Sequence, residues 1–298
     1  MIQSSSSPFL QYAETVRTEI DEALDRYTLY DDDCPSVLRD AIRHSLLAAG
    51  KRLRPLLVLM ATEACGSQRQ RAMAAACAVE MVHTYSLIHD DLPSMDDDDL
   101  RRGQPSCHVK YGEAIAILAG DALLAQAFET IAAGIQPPEV AVRCCHELSR
   151  AAGASAMVGG QVDDLQAALA AGNPDDLERI HRRKTGAMFR VSLRLGALVA
   201  EADDSMLAAL DDFGRKLGLA FQIIDDLLDV RGDEGSLGKS TGKDAEQGKM
   251  TFPALLGEAE SRQLAEQLIR QAQEALTPLD SGATNLQSLA WYVLERNH

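Results

Sequence analysis

Aromatic residues are scarce in this chain, at 4% with a single Trp, although hydrophobic residues overall reach 46%. A sheet-rich core draws on aromatic and β-branched side chains, whereas Ala and Leu, which dominate here, favour helix. No convincing period-two alternation appears either, so the chain is read as all-α and a sheet is not expected. Basic excess is also missing. The formal charge is −16, and a nucleic-acid surface needs clustered Lys and Arg to neutralise phosphates, so nucleic acid is excluded as a partner. Cysteine is present without any C-x-x-C spacing. Cys34, Cys65, Cys77, Cys107, Cys144 and Cys145 sit in helix-like segments, which argues against a zinc site or disulfide framework and fits a reducing cytoplasm.

The N-terminal MIQSSSSPFLQY has neither a basic segment followed by an apolar one nor an Arg-rich amphipathic pattern, so secretion and organelle import are not signalled. The longest apolar stretch, 114 to 133, carries Asp121, Gln126 and Glu129. That makes it a buried core helix rather than a membrane span. Nothing in the composition marks a seam, so residues 1–298 are read as one domain, with 1–8 as a disordered arm.

What is present is helical patterning. It runs from Phe9 to about Tyr30, then over 36–49, 53–65, 70–91, 113–133, 138–151, 155–170, 175–199, 204–230, 252–275 and 284–296. Two long polar loops interrupt it, PSMDDDDLRRGQPS and RGDEGSLGKSTGKDAEQGK, and long connections in compact domains are often binding loops. Each follows an apolar helix that runs into an Asp pair, in SLIHDDLPSMD and again in AFQIIDDLLD. Two such ends facing each other across an antiparallel bundle would make an Asp-lined central cavity.

Asp225 and Asp229 stand about one turn apart and about 40° apart in azimuth on a helix, with Asp226 beside them. Carboxylates so crowded call for a cation, and oxygen donors select magnesium, manganese or calcium. In the first motif Ser94 occupies the position a helical partner of Asp90 would take. Pro93 and the extra residues suggest a bulge that brings Asp96 to Asp90 instead, with Asp91 alongside and Asp97, Asp98 and Asp99 solvated or supporting. Basic groups complete a diphosphate site: Lys51, Arg52 and Arg54, then Arg101 and Arg102, then Lys184 with Thr185, and Lys239, Lys243 and Lys249 in the second loop.

These elements occur in collinear order from Gly50 to Leu256: GKRLRP, EMVHTYSLIHDDLPSMDDDDLRRGQPSCH, GGQVDDL, KTG, FQIIDDLLD and GKSTGKDAEQGKMTFPALLG. The chain resembles the short-chain trans-prenyltransferases, or polyprenyl synthetases, and most closely the bacterial farnesyl and geranylgeranyl diphosphate synthases. The resemblance implies an isoprenoid synthase-like bundle and head-to-tail condensation of isopentenyl diphosphate with dimethylallyl or geranyl diphosphate, giving farnesyl diphosphate or, alternatively, geranylgeranyl diphosphate. It implies Asp90, Asp96 and Asp225 as principal magnesium ligands, with Asp91, Asp226 and Asp229 direct or through water and Asp164 in support. Three magnesium ions are implied per site, with manganese able to substitute.

By the same resemblance Arg101, Lys184 and Lys239 grip the allylic diphosphate, and Lys51, Arg54, His83 and Arg102 bind isopentenyl diphosphate, with Lys249 also on the substrate. Lys184, Thr185 and Gln222 direct oxygens at the allylic cation. A bulky residue five positions before the first Asp stops growth at fifteen carbons, and here it is Tyr85, followed by Ser86, which helix geometry places on the face of Asp90. A homodimer is implied, with the segment 113–133 as a candidate interface and Arg296 as an aid to closing the site. A class I terpene cyclase is disfavoured because the second motif is DDLLD and the isopentenyl-site residues remain. A non-catalytic synthase subunit is disfavoured because no Asp motif is lost, and an EF-hand by its absent spacing.

Overall fold

The computed structural model describes residues 8–167, 173–231 and 250–295. The arm expected over 1–8 therefore lies outside the described residues as far as position 7, while Pro8 opens the first helix, where its missing N–H costs nothing. Lys239, Lys243, Lys249 and Arg296 also lie outside them.

The chain runs as α1 Pro8–Tyr27, α2 Ser36–Leu46, α3 Leu53–Ala64, α4 Met73–Asp90, α5 Cys107–Tyr111, α6 Glu113–Gly134, α7 Pro138–Ala152, α8 Met157–Ala167 and α9 Pro174–His181. A π turn over Arg182–Gly186 leads into α10 Ala187–Val199. Then come α11 Asp204–Arg231, α12 Phe252–Leu256, α13 Glu258–Ala275 and α14 Thr284–Glu295. The fold is all-α. Its departure from pure helix among the described residues is a two-residue ladder, β1 Leu100–Arg101 against β2 Gln104–Pro105.

Amphipathicity sorts the helices. In α3 the run from Pro55 to Thr62 is buried without interruption, and α10 is buried over most of its circumference. Helices apolar all round belong inside a bundle, and α3 and α10 pack on each other, with α4 against α6 and α11 against α13 around them. The segment read as a core helix, α6, is long and apolar enough to cross a membrane by length and composition. Its Ala116, Ala119, Leu123, Ala127 and Ile131 form a stripe buried in the bundle, and its Gln126 amide donates to the Tyr27 carbonyl at 2.5 Å. The opposite face stays open, so the burial expected of this segment holds for one side only.

Two expected helices are split. The span 175–199 breaks into α9, the π turn and α10, and 252–275 breaks at Gly257, whose φ of 85° suits glycine. Asn173 caps α9 by accepting from the Asp175 and Asp176 N–H groups. The π turn is where α8 crosses most closely: a Cβ on Gly160 would lie 2.4 Å from the Lys184 nitrogen and 2.8 Å from its Cα. Backbone cannot swing aside as a side chain does. Gly160→Ala is therefore expected to cost about 1–3 kcal/mol of stability, read as a lowered thermal midpoint, and to displace the Lys184 turn.

Candidate active site

A cavity of about 820 Å³ opens among α3, α4, α8, the π turn and α11. Its charged end begins where α4 stops. Pro93 cannot continue the helix, and the chain folds back so that the Asp96 N–H donates to the Asp90 carbonyl at 2.8 Å. Asp97 takes a φ of 51°, and the Asp98 N–H closes on the Asp91 carbonyl at 3.2 Å. The bulge suggested by the proline spacing thus exists, and Asp90 and Asp96 both line the cavity. Asp225 and Asp226 enter it from α11, and Asp164 from α8.

Asp91 and Asp229 do not line it. Asp91 is buried and turned to Arg101, whose Nε donates to Asp91 Oδ1 at 2.9 Å, and the same guanidinium reaches Asp98 Oδ2 at 3.1 Å. Asp98 is therefore buried and paired rather than solvated. Asp229 is buried below the cavity-lining pair of α11. Asp226 accepts the Phe252 N–H at 2.9 Å, tying α12 to α11, and the His181 ring stacks on Phe252 with centroids 5.7 Å apart.

The basic residues come from separate elements. Arg102 and Gly103 are the central residues of the β1–β2 hairpin, and both have positive φ, 54° and 76°. This is the pattern of a type I′ turn, and it sends two adjacent arginines to different partners. Arg101 faces Asp91; Arg102 lies over Gly50, where an added Cβ would meet its guanidinium carbon at 3.0 Å. The Lys184 ammonium sits 2.9 Å from Asp164 Oδ2 and 3.8 Å from Asp90 Oδ2, and these carboxylates raise its pKa above the ordinary lysine value despite burial. Lys51, Arg54, His83, Thr185 and Gln222 line the same cavity.

Burial and the neighbouring Asp96 push the Asp90 carboxyl up to about 6, against the pull of Lys184. Carboxylates crowded in this way suit a hard cation, which relieves their repulsion. Among the described residues no three His, Cys, Asp or Glu side chains converge enough to enclose a metal alone, so a cation held here shares its coordination with ligand oxygens or water.

Away from the carboxylates the wall turns apolar, with Met157, Val158, Val162, Leu165, Met188 and Phe221. Tyr85 and Ser86 lie on it; the Tyr85 ring meets His89 edge-on at 5.1 Å, and Ser86 Oγ donates to the His83 carbonyl at 2.8 Å. Sequence reasoning missed Glu80, Gln161 and His181, all of which line the cavity. Glu80 had a signal, as the one carboxylate within the apolar run of α4 before its Asp end. The other two had none, because their positions depend on how α8 and α9 meet α11.

The fold and the cavity define a helical-bundle protein that gathers acidic, basic and apolar side chains around one internal space. The polyprenyl synthetase family model matches residues 35–281, and the chain belongs to that family. It is 43% identical over 97% of its length, and 98% of the relative's, to a farnesyl diphosphate synthase of Geobacillus stearothermophilus. It is 47% identical to geranylgeranyl pyrophosphate synthase 11, chloroplastic, of Arabidopsis thaliana, over 89% of this chain and 76% of that one. An apo FPP/GFPP synthase structure from Zymomonas mobilis superposes with a TM-score of 0.87 at 36% identity, covering 96% of this chain and 98% of the other.

His83 offers a pH test. Burial and then the Arg54 guanidinium hold its pKa well below the ordinary value of 6.5. Arg54 Nη1 lies 3.1 Å from His83 Nε2; arginine only donates, so that ring nitrogen accepts and the imidazole is neutral. The unfolded chain then binds a proton that the folded chain refuses, and stability is lost as pH falls through 6.5. His83→Gln is expected to remove about 1 kcal/mol of the loss between pH 7.5 and 5.5, measured by urea unfolding at the two pH values.

Proposed function

We propose that the chain catalyses head-to-tail condensation of isopentenyl diphosphate with dimethylallyl and geranyl diphosphates, giving (2E,6E)-farnesyl diphosphate by magnesium-assisted ionisation. The observation that carries this reading is the cavity itself, in which Asp90 and Asp96 on one side and Asp225 and Asp226 on another share a space with five basic side chains, Lys51, Arg54, Arg101, Arg102 and Lys184, at the mouth of an apolar channel. Members of the family use a divalent metal, and the all-oxygen donor set fits magnesium. When bound, it supplies Lewis-acid stabilisation of the departing diphosphate.

The protein's own groups do the rest. Arg101 and Lys184 neutralise charge developing on the allylic diphosphate as its C–O bond breaks. Thr185, Gln222 and the backbone of the Lys184 turn present oxygens to the allylic cation, while the apolar wall excludes water. Lys51, Arg54, His83 and Arg102 hold isopentenyl diphosphate so that its double bond meets the cation, and the released diphosphate takes the proton that restores a double bond. Asp164 orients Lys184, and Lys239 and Lys249 are assigned to the substrate by resemblance alone. Asp91 and Asp229 act on the metal-holding carboxylates from behind the wall.

Farnesyl as the product rests on Tyr85, five residues before Asp90 on the cavity wall. The second reading, geranylgeranyl diphosphate, draws on the plant relative. A homodimer is supported by the open face of α6, where Ile117 and Leu118 remain 43% and 52% exposed. A reducing cytoplasm is supported by six free cysteines.

Purified protein with magnesium, labelled isopentenyl diphosphate and dimethylallyl, geranyl or farnesyl diphosphate in separate reactions is expected to yield farnesol after dephosphorylation, with farnesyl diphosphate a poor starter. Tyr85→Ala is expected to lengthen the product; an unchanged profile removes Tyr85 as the floor. Asp90→Ala and Asp225→Ala are each expected to lower turnover at least about 10²-fold with the fold intact by circular dichroism, and near-normal turnover would sink their role.

A further inference from the structure

We infer that Glu80 is a positioning residue that presets Arg102 and Arg54 for the diphosphate of isopentenyl diphosphate. The inference rests on the placement of that substrate proposed above. Glu80 lies within α4, one turn before His83, with a side chain 1% exposed. A carboxylate so deep in an apolar bundle is retained only with cations around it. Arg52 Nη1 is 2.7 Å and Arg102 Nη2 3.3 Å from Glu80 Oε1. The charge of Arg54 helps to hold the Glu80 carboxyl below the ordinary range against the cost of burial.

The three arginines depend on Glu80 to different degrees. Arg52 is buried and has other anchors, with Nε 2.7 Å from Asp21 Oδ1 and Nη2 donating to the Ala48 carbonyl at 2.9 Å. It is a strut of the wall, and its left-handed φ of 47° lets the chain turn into α3. Arg102, by contrast, has Glu80 as its close carboxylate and, among the described residues, beyond that a long contact of 3.4 Å to the Ala48 carbonyl. Arg54 donates to His83 and stacks over the Phe189 ring at 5.5 Å, and among the described residues its buried Nε has no hydrogen-bond partner. Burial lowers the pKa of Arg54 to about 10 and that of Arg102 below the ordinary value.

Guanidiniums that share one buried wall repel one another, and without an anion among them they would splay apart or stay hydrated. Glu80 supplies that anion in the empty site. It uses Oε1 for Arg52 and Arg102, and among the described residues Oε2 is buried without a hydrogen-bond partner. Arg54 and Arg102 are thus aimed before substrate arrives, and both line the cavity. Preset donors lower the ordering cost of binding, and the benefit falls on the ligand that Arg54 and Arg102 meet.

Steady-state kinetics on the full chain, varying isopentenyl and geranyl diphosphates separately, tests this. Glu80→Gln is expected to raise the KM for isopentenyl diphosphate about tenfold or more while that for geranyl diphosphate stays within about twofold. Glu80→Asp, which keeps the charge, is expected to recover most of the loss. Calorimetric titration of isopentenyl diphosphate alone is expected to weaken in parallel. Equal rises in both KM values, no rise in a variant with unchanged thermal midpoint, or failure of both variants to fold would overturn the inference, the last by making Glu80 a core residue alone. Arg54→Ala and Arg102→Ala are the controls: if neither raises the KM for isopentenyl diphosphate, the placement of that substrate fails and takes the inference with it, whereas a rise there without one in Glu80→Gln overturns the role of Glu80 only.

Discussion

Burying ionised groups in an apolar bundle is costly, and the architecture around this cavity follows from how that cost is met. Asp91 is matched by Arg101, Asp164 by Lys184, and Glu80 by Arg52 and Arg102. Each pair joins elements far apart in the chain or pins a loop to a helix end, so charge compensation also fixes geometry. Arg101 on Asp91 and Asp98 closes the loop after α4 over the helix end, leaving Asp90 and Asp96 on the cavity wall. Buried pairs of this kind need not add net stability compared with an apolar packing of the same volume. Their value lies in holding several charges in place around a space that a multiply charged ligand can enter.

The compensation is uneven in a telling way. Where carboxylates gather, at Asp90 and Asp96, burial raises the Asp90 carboxyl to about 6. Where guanidiniums gather, at Arg54 and Arg102, burial and then repulsion from neighbouring arginines lower their pKa values instead. The two ends of the charged wall are therefore strained in opposite senses: one favours a cation and the other an anion. A metal diphosphate carries both, and a second diphosphate suits the guanidinium end. That polarity along one wall fits the proposed condensation of two diphosphates.

Much of the scaffold was legible because helical periodicity depends on local sequence. The turn that brings Asp96 to Asp90 was legible too, since Pro93 and the occupancy of position 94 by Ser leave few alternatives. The break at Arg182–Gly186 was not: a π turn continues the helical direction and shifts the 3.6-residue phase by about one residue, which the patterning of 175–199 does not reveal. Nor was the two-residue ladder, which depends on positive φ at Arg102 rather than on alternation. The pairing of Asp91 was not legible, since adjacency to Asp90 says nothing of Arg101 arriving from the hairpin. Glu80 was readable as a lone charge in an apolar helix, but its partners sit on α3 and the hairpin and emerge only when the helices pack.

Product length depends on far fewer contacts than the fold does. The chain is 47% identical to a geranylgeranyl pyrophosphate synthase over 273 residues and 43% identical to a farnesyl diphosphate synthase over 291, so overall identity is counted over the whole scaffold and does not separate the two products. Because α4 carries both Asp90 and Tyr85, the helix rise fixes the spacing between the charged end and the tyrosine at about 7.5 Å along the axis, and on the proposed function the bulk and orientation of that ring set where the product stops. That ring is set in turn by His89, whose Nε2 lies 3.1 Å from the Ile117 carbonyl. His89 reaches it only because position 120 on α6 is glycine, where a Cβ would come within 2.3 Å of the imidazole. On the proposal that Tyr85 closes the channel, its end is held by two contacts, Tyr85 to His89 and His89 to the backbone of α6, and a change at either would alter the channel while leaving overall identity untouched.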